Sequence, residues 1–275
     1  MLEKRVAALE ERMASRPADP QQLESASIEE LIDRLDASDA VARYHAAQAL
    51  GGRLAEAKID LFHVLKTGSH RQREAIAALF ASHATPEMAV DLVEAHAKND
   101  GARVLVFLDA ALGRTEATEA VEPLAADLAH PSMRVRVVAC EALGKLGDAH
   151  AAIPLAQVLA GGDPVLRPLA VGALRALGPV GVAYIETQWH LTGPRERLFL
   201  LQAAAQVEGS ESEAFLADKL QDASPLVALE AARLLALRGS LLGRDVAVAR
   251  VGSEDPVVRA AARTALDAME NNAPP

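Results

Sequence analysis

A self-similarity with a period near 31 runs through almost the whole chain and restricts its fold more than any other feature. An alanine-leucine pair near the end of an apolar stretch recurs, with Leu143, Leu174 and Leu266 in the clearest copies. Leu50, Leu79, Leu112, Ala204 and Leu235 hold the same place in weaker copies. From Leu50 onward the steps are 29, 33, 31, 31, 30, 31 and 31. A fixed period in this range marks stacked supersecondary units, each too small to bury its own apolar face.

The punctuation keeps the same period. Gly147, Gly178, Gly209 and Gly239 follow one another at steps of 31, 31 and 30. A glycine just past a helix takes a left-handed conformation there. Pro123 and Pro154, also one period apart, fit the first turn of a helix, where a missing N–H costs nothing. Between paired helices, Asp163 to Arg167 (DPVLR) and Asp255 to Arg259 (DPVVR) are near copies, with Asp as cap and Pro presetting the first turn. Asp39 to Arg43 (DAVAR) follows the same plan, and His130 to Arg136 (HPSMRVR) is a variant without the aspartate.

These cuts predict eight helix-turn-helix pairs. First helices begin near Ser27, Leu54, Thr85, Ala117, Ala149, Val180, Glu211 and Leu241; second helices begin near Asp39, Ser69, Gly101, Ser132, Asp163, Pro194, Pro225 and Asp255. Before them, residues 1–15 read as an amphipathic helix with one apolar seam, Leu2, Val6, Leu9 and Met13. Residues 16–26 read as a linker, 27–270 as the repeat solenoid, and 271–275 as a disordered tail. The seam folds back on the first pair, docks elsewhere, or joins copies of the chain into an oligomer.

The pattern of Asp-Pro, Val-Arg and Ala-Leu-Gly-x-Leu-Gly resembles the HEAT-like repeat of the phycobilisome lyases, within the armadillo-like helical superfamily. Val121 to Gly178 and the closing EDPVVRAAARTALDAM carry the resemblance most fully. It implies an all-α superhelical solenoid of about eight two-helix repeats, with the second helices lining a concave groove. Chromophore lyases, metal-dependent hydroxylases and scaffolds all share this repeat. Deoxyhypusine hydroxylases hold iron through His-Glu dipeptides, and none of the eight histidines here precedes a glutamate.

Composition narrows the function. Hydrophobic residues make up 51% of the chain and aromatics only 3%, which suits thin Ala/Leu/Val helices packed closely. The net charge of −10 opposes phosphate binding, so no nucleic-acid partner is expected. It favours instead a basic segment of another protein, through steering into an acidic groove. With one cysteine, Cys140, there is no internal disulfide and no cysteine metal cluster. No apolar run is long enough for a membrane span, and the composition fits a cytoplasmic protein.

No catalytic constellation, metal site or cofactor motif emerges. Glu29 and Glu30 follow Ser27 with capping-box spacing, which is structural. Five histidines (His45, His63, His70, His83 and His96) crowd the first three pairs but lack an i, i+4 pair, and read as solvated. Arg43, Arg136, Arg167, Arg197 and Arg259 each lie seven positions before their pair's Ala-Leu position and read as a structural ladder tying neighbouring pairs together. The ladder lapses at Gln72, Leu105 and Ala228, where looser junctions are expected. Tyr184, Trp189, His190, Arg195 and Arg197 concentrate binding-type residues, with the only Trp, in the sixth pair. Trp189 either fills a core gap between the sixth and seventh pairs or anchors a partner. The expected function is a non-catalytic protein-binding scaffold or adaptor. A phycobilin-lyase-like chromophore carrier and an assembly subunit working through the N-terminal helix are the alternatives.

Overall fold

Helix caps written into the sequence mark where several elements of the chain begin. The computed structural model describes residues 25–161 and 163–272. The N-terminal seam (Leu2, Val6, Leu9, Met13), most of the 16–26 linker and the tail beyond Asn272 lie outside them. Sixteen α-helices and no strands are present among the described residues. In the first compact unit, which ends at Pro123, these are α1 (Ile28–Arg34), α2 (Ala40–Gly52), α3 (Leu54–Thr67), α4 (His70–His83), α5 (Ala89–Ala97) and α6 (Ala102–Leu112). The division falls inside α7 (Val121–Asp127). The second unit continues with α8 (Met133–Leu146), α9 (Ala152–Gly161), α10 (Leu166–Ala176), α11 (Pro179–Trp189), α12 (Pro194–Ala204), α13 (Ser210–Asp218), α14 (Pro225–Ala236), α15 (Arg244–Val248) and α16 (Pro256–Asn271).

The starts follow local chemistry. Ser27 and Glu30 form a reciprocal capping box on α1, and Ser69 and Gln72 form another on α4. Asp39 accepts from the Val41 and Ala42 amides, and Asp255 from that of Val257. In the aspartate-free loop, His130 Nδ1 accepts from the Ser132 amide at 3.0 Å, so the imidazole supplies the acceptor that Asp39 supplies elsewhere. Three first helices are preceded by a 3-10 turn, at Pro86–Met88, Thr118–Ala120 and Ala149–Ala151.

Within each unit, first helices pack beside first helices and second beside second. The second-helix row is α2, α4 and α6 in the first unit, and α8, α10, α12, α14 and α16 in the second. Leu50, Leu79, Leu112, Leu143, Leu174, Ala204 and Leu235 are all buried, so the periodic position is the inward face of each second helix. Leu266, in the last pair, is only half-buried, because α16 has no described successor to cover it. The rows are close: a Cβ added to Gly144 on α8 would lie 2.8 Å from the Ala173 Cβ on α10. Small residues at this crossing explain how a chain with so few aromatics fills its interior.

The loops that end second helices share a residue with positive φ but not one backbone region: Gly147, with ψ of 7°, is in the left-handed helical region, whereas Gly178 and Gly209 have ψ of −139° and 168°. Gly147, Gly178, Gly209 and Gly239 have φ of +69°, +61°, +119° and +78°. Glu116, one period before Gly147, has φ of +54° and is the sole non-glycine with positive φ among the described residues. The series therefore starts one pair earlier than its glycines do, with an L-residue carrying the strain.

Candidate functional site

Three of the five ladder arginines close their own pair's loop. Arg43 Nη1 donates to the Ala37 and Ser38 carbonyls at 2.7 and 2.9 Å. Arg136 Nη1 donates to His130 and Pro131 at 2.9 and 3.1 Å, and Arg259 Nη1 to Ser253 and Glu254. One guanidinium nitrogen thus satisfies two consecutive carbonyls left free between the helices. This corrects the expected tie to a neighbouring pair, which survives only as a 3.8 Å approach of Arg136 to Asp163 and in two departures from the pattern. Arg167 lies over the Phe199 ring of the next pair at 3.5 Å, and Arg197 reaches Asp222 of the next pair at 2.9 Å. Where the ladder lapses the packing is not loose. Leu105 and Ala228 are buried, and Gln72 Nε2 donates back to the Ile32 carbonyl at 3.3 Å.

The aromatic cluster of the sixth pair divides between interior and surface. Trp189 is 3% exposed, with Phe215 against it edge-on at 5.5 Å between centroids. Its indole Nε1 and Arg197 Nη1 both donate to Asp222 Oδ2, at 3.2 and 2.9 Å, while the Ser224 amide donates to Oδ1 at 2.9 Å. Arg197 Nε also donates to the Trp189 carbonyl. Lys219, itself buried, sits 5.1 Å from the Trp189 centroid and 2.7 Å from Asp218. Trp189 and Arg197 therefore belong to the packing between the sixth and seventh pairs, Trp189 buried and Arg197 half-buried. Tyr184 is half-buried, and His190 and Arg195 are exposed, so the five residues do not make one surface.

The histidines do not behave alike. His63, His70 and His83 are exposed and His45 is half-buried, but His96 is buried, with Nε2 3.1 Å from Asp109 Oδ1. That pair corrects the expectation of solvated histidines, and it sits beside a buried Asn99 that donates to the Ala95 and Leu65 carbonyls and accepts from Arg73. Sequence spacing could not reveal the pair, because His96 and Asp109 lie on different helices. Cys140 is fully buried on α8, and its burial pushes the thiol up to about 12, which favours the protonated form.

Charge separates by helix row. In the first unit, α1, α3 and α5 carry Glu29, Glu30, Asp33, Glu56, Asp60, Asp91 and Glu94 against Arg34, Lys58 and Lys66. By contrast α2, α4 and α6 carry Arg43, Arg71, Arg73 and Arg103 against Glu74 and the buried Asp109. In the second unit, α8, α10, α12, α14 and α16 carry ten cations and five carboxylates, while α9, α11, α13 and α15 carry one cation and five. The overall acidity thus does not extend to the second-helix faces. An acidic groove there, and the basic partner segment argued from it, are not what the helices present.

Each unit has a groove on its second-helix row. In the second unit a groove of about 330 Å³ crosses α12, α14 and α16, with Leu198, Leu226, Leu229, Val257 and Ala261 as an apolar floor. Gln202, Glu230 and Arg233 edge it, with Glu230 bonded to Arg233 at 2.7 and 2.8 Å. Burial pushes the Glu230 carboxyl up, but its bonds to Arg233 and Gln202 together outweigh this and hold it below the ordinary value. In the first unit a groove of about 290 Å³ crosses α2, α4 and α6, lined by Arg43, Arg71, Glu74, Ala75, Ala78, Arg103 and Phe107. Neither groove contains the cluster of nucleophile, base and positioned donors that acyl or phosphoryl transfer needs. No helix of the described residues is long and apolar enough to cross a membrane.

No family model and no curated protein matches the chain. Solved structures similar to it include human deoxyhypusine hydroxylase, at 18% identity over 91% of this chain and 98% of the other, with a TM-score of 0.37. The complex of CpcE and CpcF of phycocyanin lyase from Nostoc sp. is 19% identical over 90% and 95%, with a TM-score of 0.32. A designed armadillo repeat protein in complex with the peptide (KR)4 is 17% identical over 89% and 100%, with a TM-score of 0.28. At this level of similarity, the chemistry of these three proteins does not transfer to this chain. The recurring helix pairs, with buried inward residues and positive-φ residues at a common period, decide the matter: the chain is an all-α, HEAT-like helical repeat protein.

Proposed function

We propose that the protein is a non-catalytic scaffold or adaptor, acting in the cytoplasm, that holds a segment of another protein against its second-helix rows. The observation that carries this reading is the α12–α14–α16 groove, an open apolar floor edged by hydrogen-bonding side chains. An extended or helical segment would bury apolar side chains on the floor and be oriented by Gln202, Glu230 and Arg233. Val257 has its side chain on that floor and is 59% exposed, so it is available for such contact.

Selection of binders to the full chain from a displayed library of random short peptides tests this directly. Selected peptides should lose about tenfold or more in affinity for Val257→Glu, because a buried unpaired carboxylate costs at least that much. The variant's thermal melt should be unchanged. Failure to select any binder, or binders indifferent to changes on the second-helix rows, would refute the scaffold reading.

A further inference from the structure

We infer that the α2–α4–α6 groove of the first unit binds an acidic segment of a partner protein, the opposite polarity to that suggested by the chain's net charge. The inference rests on the scaffold reading and adds the chemistry of what is held. Three arginines, one from each consecutive second helix, open onto this groove, against a single carboxylate, Glu74. Arg103 is 71% exposed at its side chain and reaches Glu74 at 3.0 Å by one nitrogen. Arg71 is exposed, and its one hydrogen bond among the described residues is a long 3.4 Å one to the Asp36 carbonyl. A guanidinium has five donors in a planar fork, so both retain capacity for bidentate carboxylate binding.

The groove's floor sets the ligand's other features. Ala75 and Ala78 on α4 are small, and Phe107 on α6 is half-buried, so the surface between the arginines is apolar and shallow. Arg71, Ala75 and Ala78 share one stripe of α4, and Arg103 and Phe107 share one stripe of α6. A segment crossing the row therefore runs between a line of arginines near the helix starts on one side and an apolar strip on the other. Its complement carries Asp or Glu interleaved with apolar residues. A basic segment would meet three like charges and one carboxylate already engaged by Arg103 and 3.8 Å from His70.

The same peptide selection decides the question when run in parallel on the full chain and on the Arg71→Gln/Arg103→Gln variant. Both side chains are exposed, so the variant keeps its fold, which an unchanged circular dichroism melt verifies. Peptides selected by the parent should be enriched in Asp and Glu. Their affinity should fall about threefold for each substitution and about tenfold for both. It should also fall several-fold as ionic strength rises from about 0.05 to about 0.5 M. Binders without acidic enrichment, or with Lys and Arg enriched, overturn the inference while leaving the scaffold reading standing. Acidic binders that tolerate the double substitution overturn the assignment to this groove. Tighter binding of a single-stranded RNA oligonucleotide than of the selected peptides overturns the choice of a protein ligand. If no peptide binds, both readings fall together.

Discussion

Replacing Glu116 by glycine should stabilise the protein, although it deletes a charged side chain and adds chain freedom. Glu116 sits at φ of +54° at the position that Gly147, Gly178, Gly209 and Gly239 fill in later pairs. It is exposed and makes no hydrogen bond or ion pair among the described residues, so removing its carboxylate forfeits nothing. A left-handed backbone costs an L-residue roughly 1–2 kcal/mol. Glycine's greater freedom in the unfolded chain offsets roughly 0.4–1 kcal/mol of that gain. The net stabilisation is about 0.5–1 kcal/mol. With a urea m-value of about 2 kcal/mol/M, the midpoint should rise by about 0.3–0.5 M at constant m. Gly147→Ala, at φ of +69°, should move it the other way by a similar amount. Urea titrations followed by circular dichroism in the helix band read both. An unchanged or lowered midpoint for Glu116→Gly, alongside a loss for Gly147→Ala, would refute the shared-loop argument.

Three further outcomes are expected. Trp189→Ala should cost about 3–5 kcal/mol in denaturant titration, because it empties a buried site and leaves Asp222 short of a donor; a surface role would leave stability within about 0.5 kcal/mol. Arg259→Met should cost about 1–3 kcal/mol by exposing the Ser253 and Glu254 carbonyls to poorer partners, with unfolding beginning at the C-terminal pair in hydrogen exchange. Cys140 should resist a disulfide reagent in the native state and react on unfolding. Because its folded value is raised from an ordinary 9.0 to about 12, the stability that the protonated thiol contributes is fully present below pH 9 and lost as pH rises toward 12. A native thiol that reacts at neutral pH would contradict its burial.

The helix pairs were legible in the sequence because the information is local and repeated. Capping residues lie within three positions of the amides they satisfy, and one period carries the inward leucines and the turn glycines together. Glu116 could have been found by stepping the glycine period back once; its side chain disguised it. Trp189 was ambiguous for a different reason. Its fate is set by Asp222, Phe215 and Lys219, which lie about one repeat further along and gain meaning only once α11 and α13 are side by side. The His96–Asp109 pair was likewise hidden, since no spacing rule links residues on two helices of one pair. The charge of the grooves was misjudged from a whole-chain sum, which averaged an arginine-bearing row with a carboxylate-bearing one.

The loop clamp also bears on how such a chain grows. An arginine that satisfies carbonyls five and six positions behind it needs nothing from outside its own pair. At the three clamped pairs, duplicating or excising a segment of one period would leave the arginine and the two carbonyls it holds together. The sixth and seventh pairs lack that independence, because Arg197 and Trp189 depend on Asp222 in the following pair. Insertions and deletions of whole repeats among relatives should therefore be rarer at that junction than at the clamped pairs, making it a fixed reference in a lengthening or shortening array.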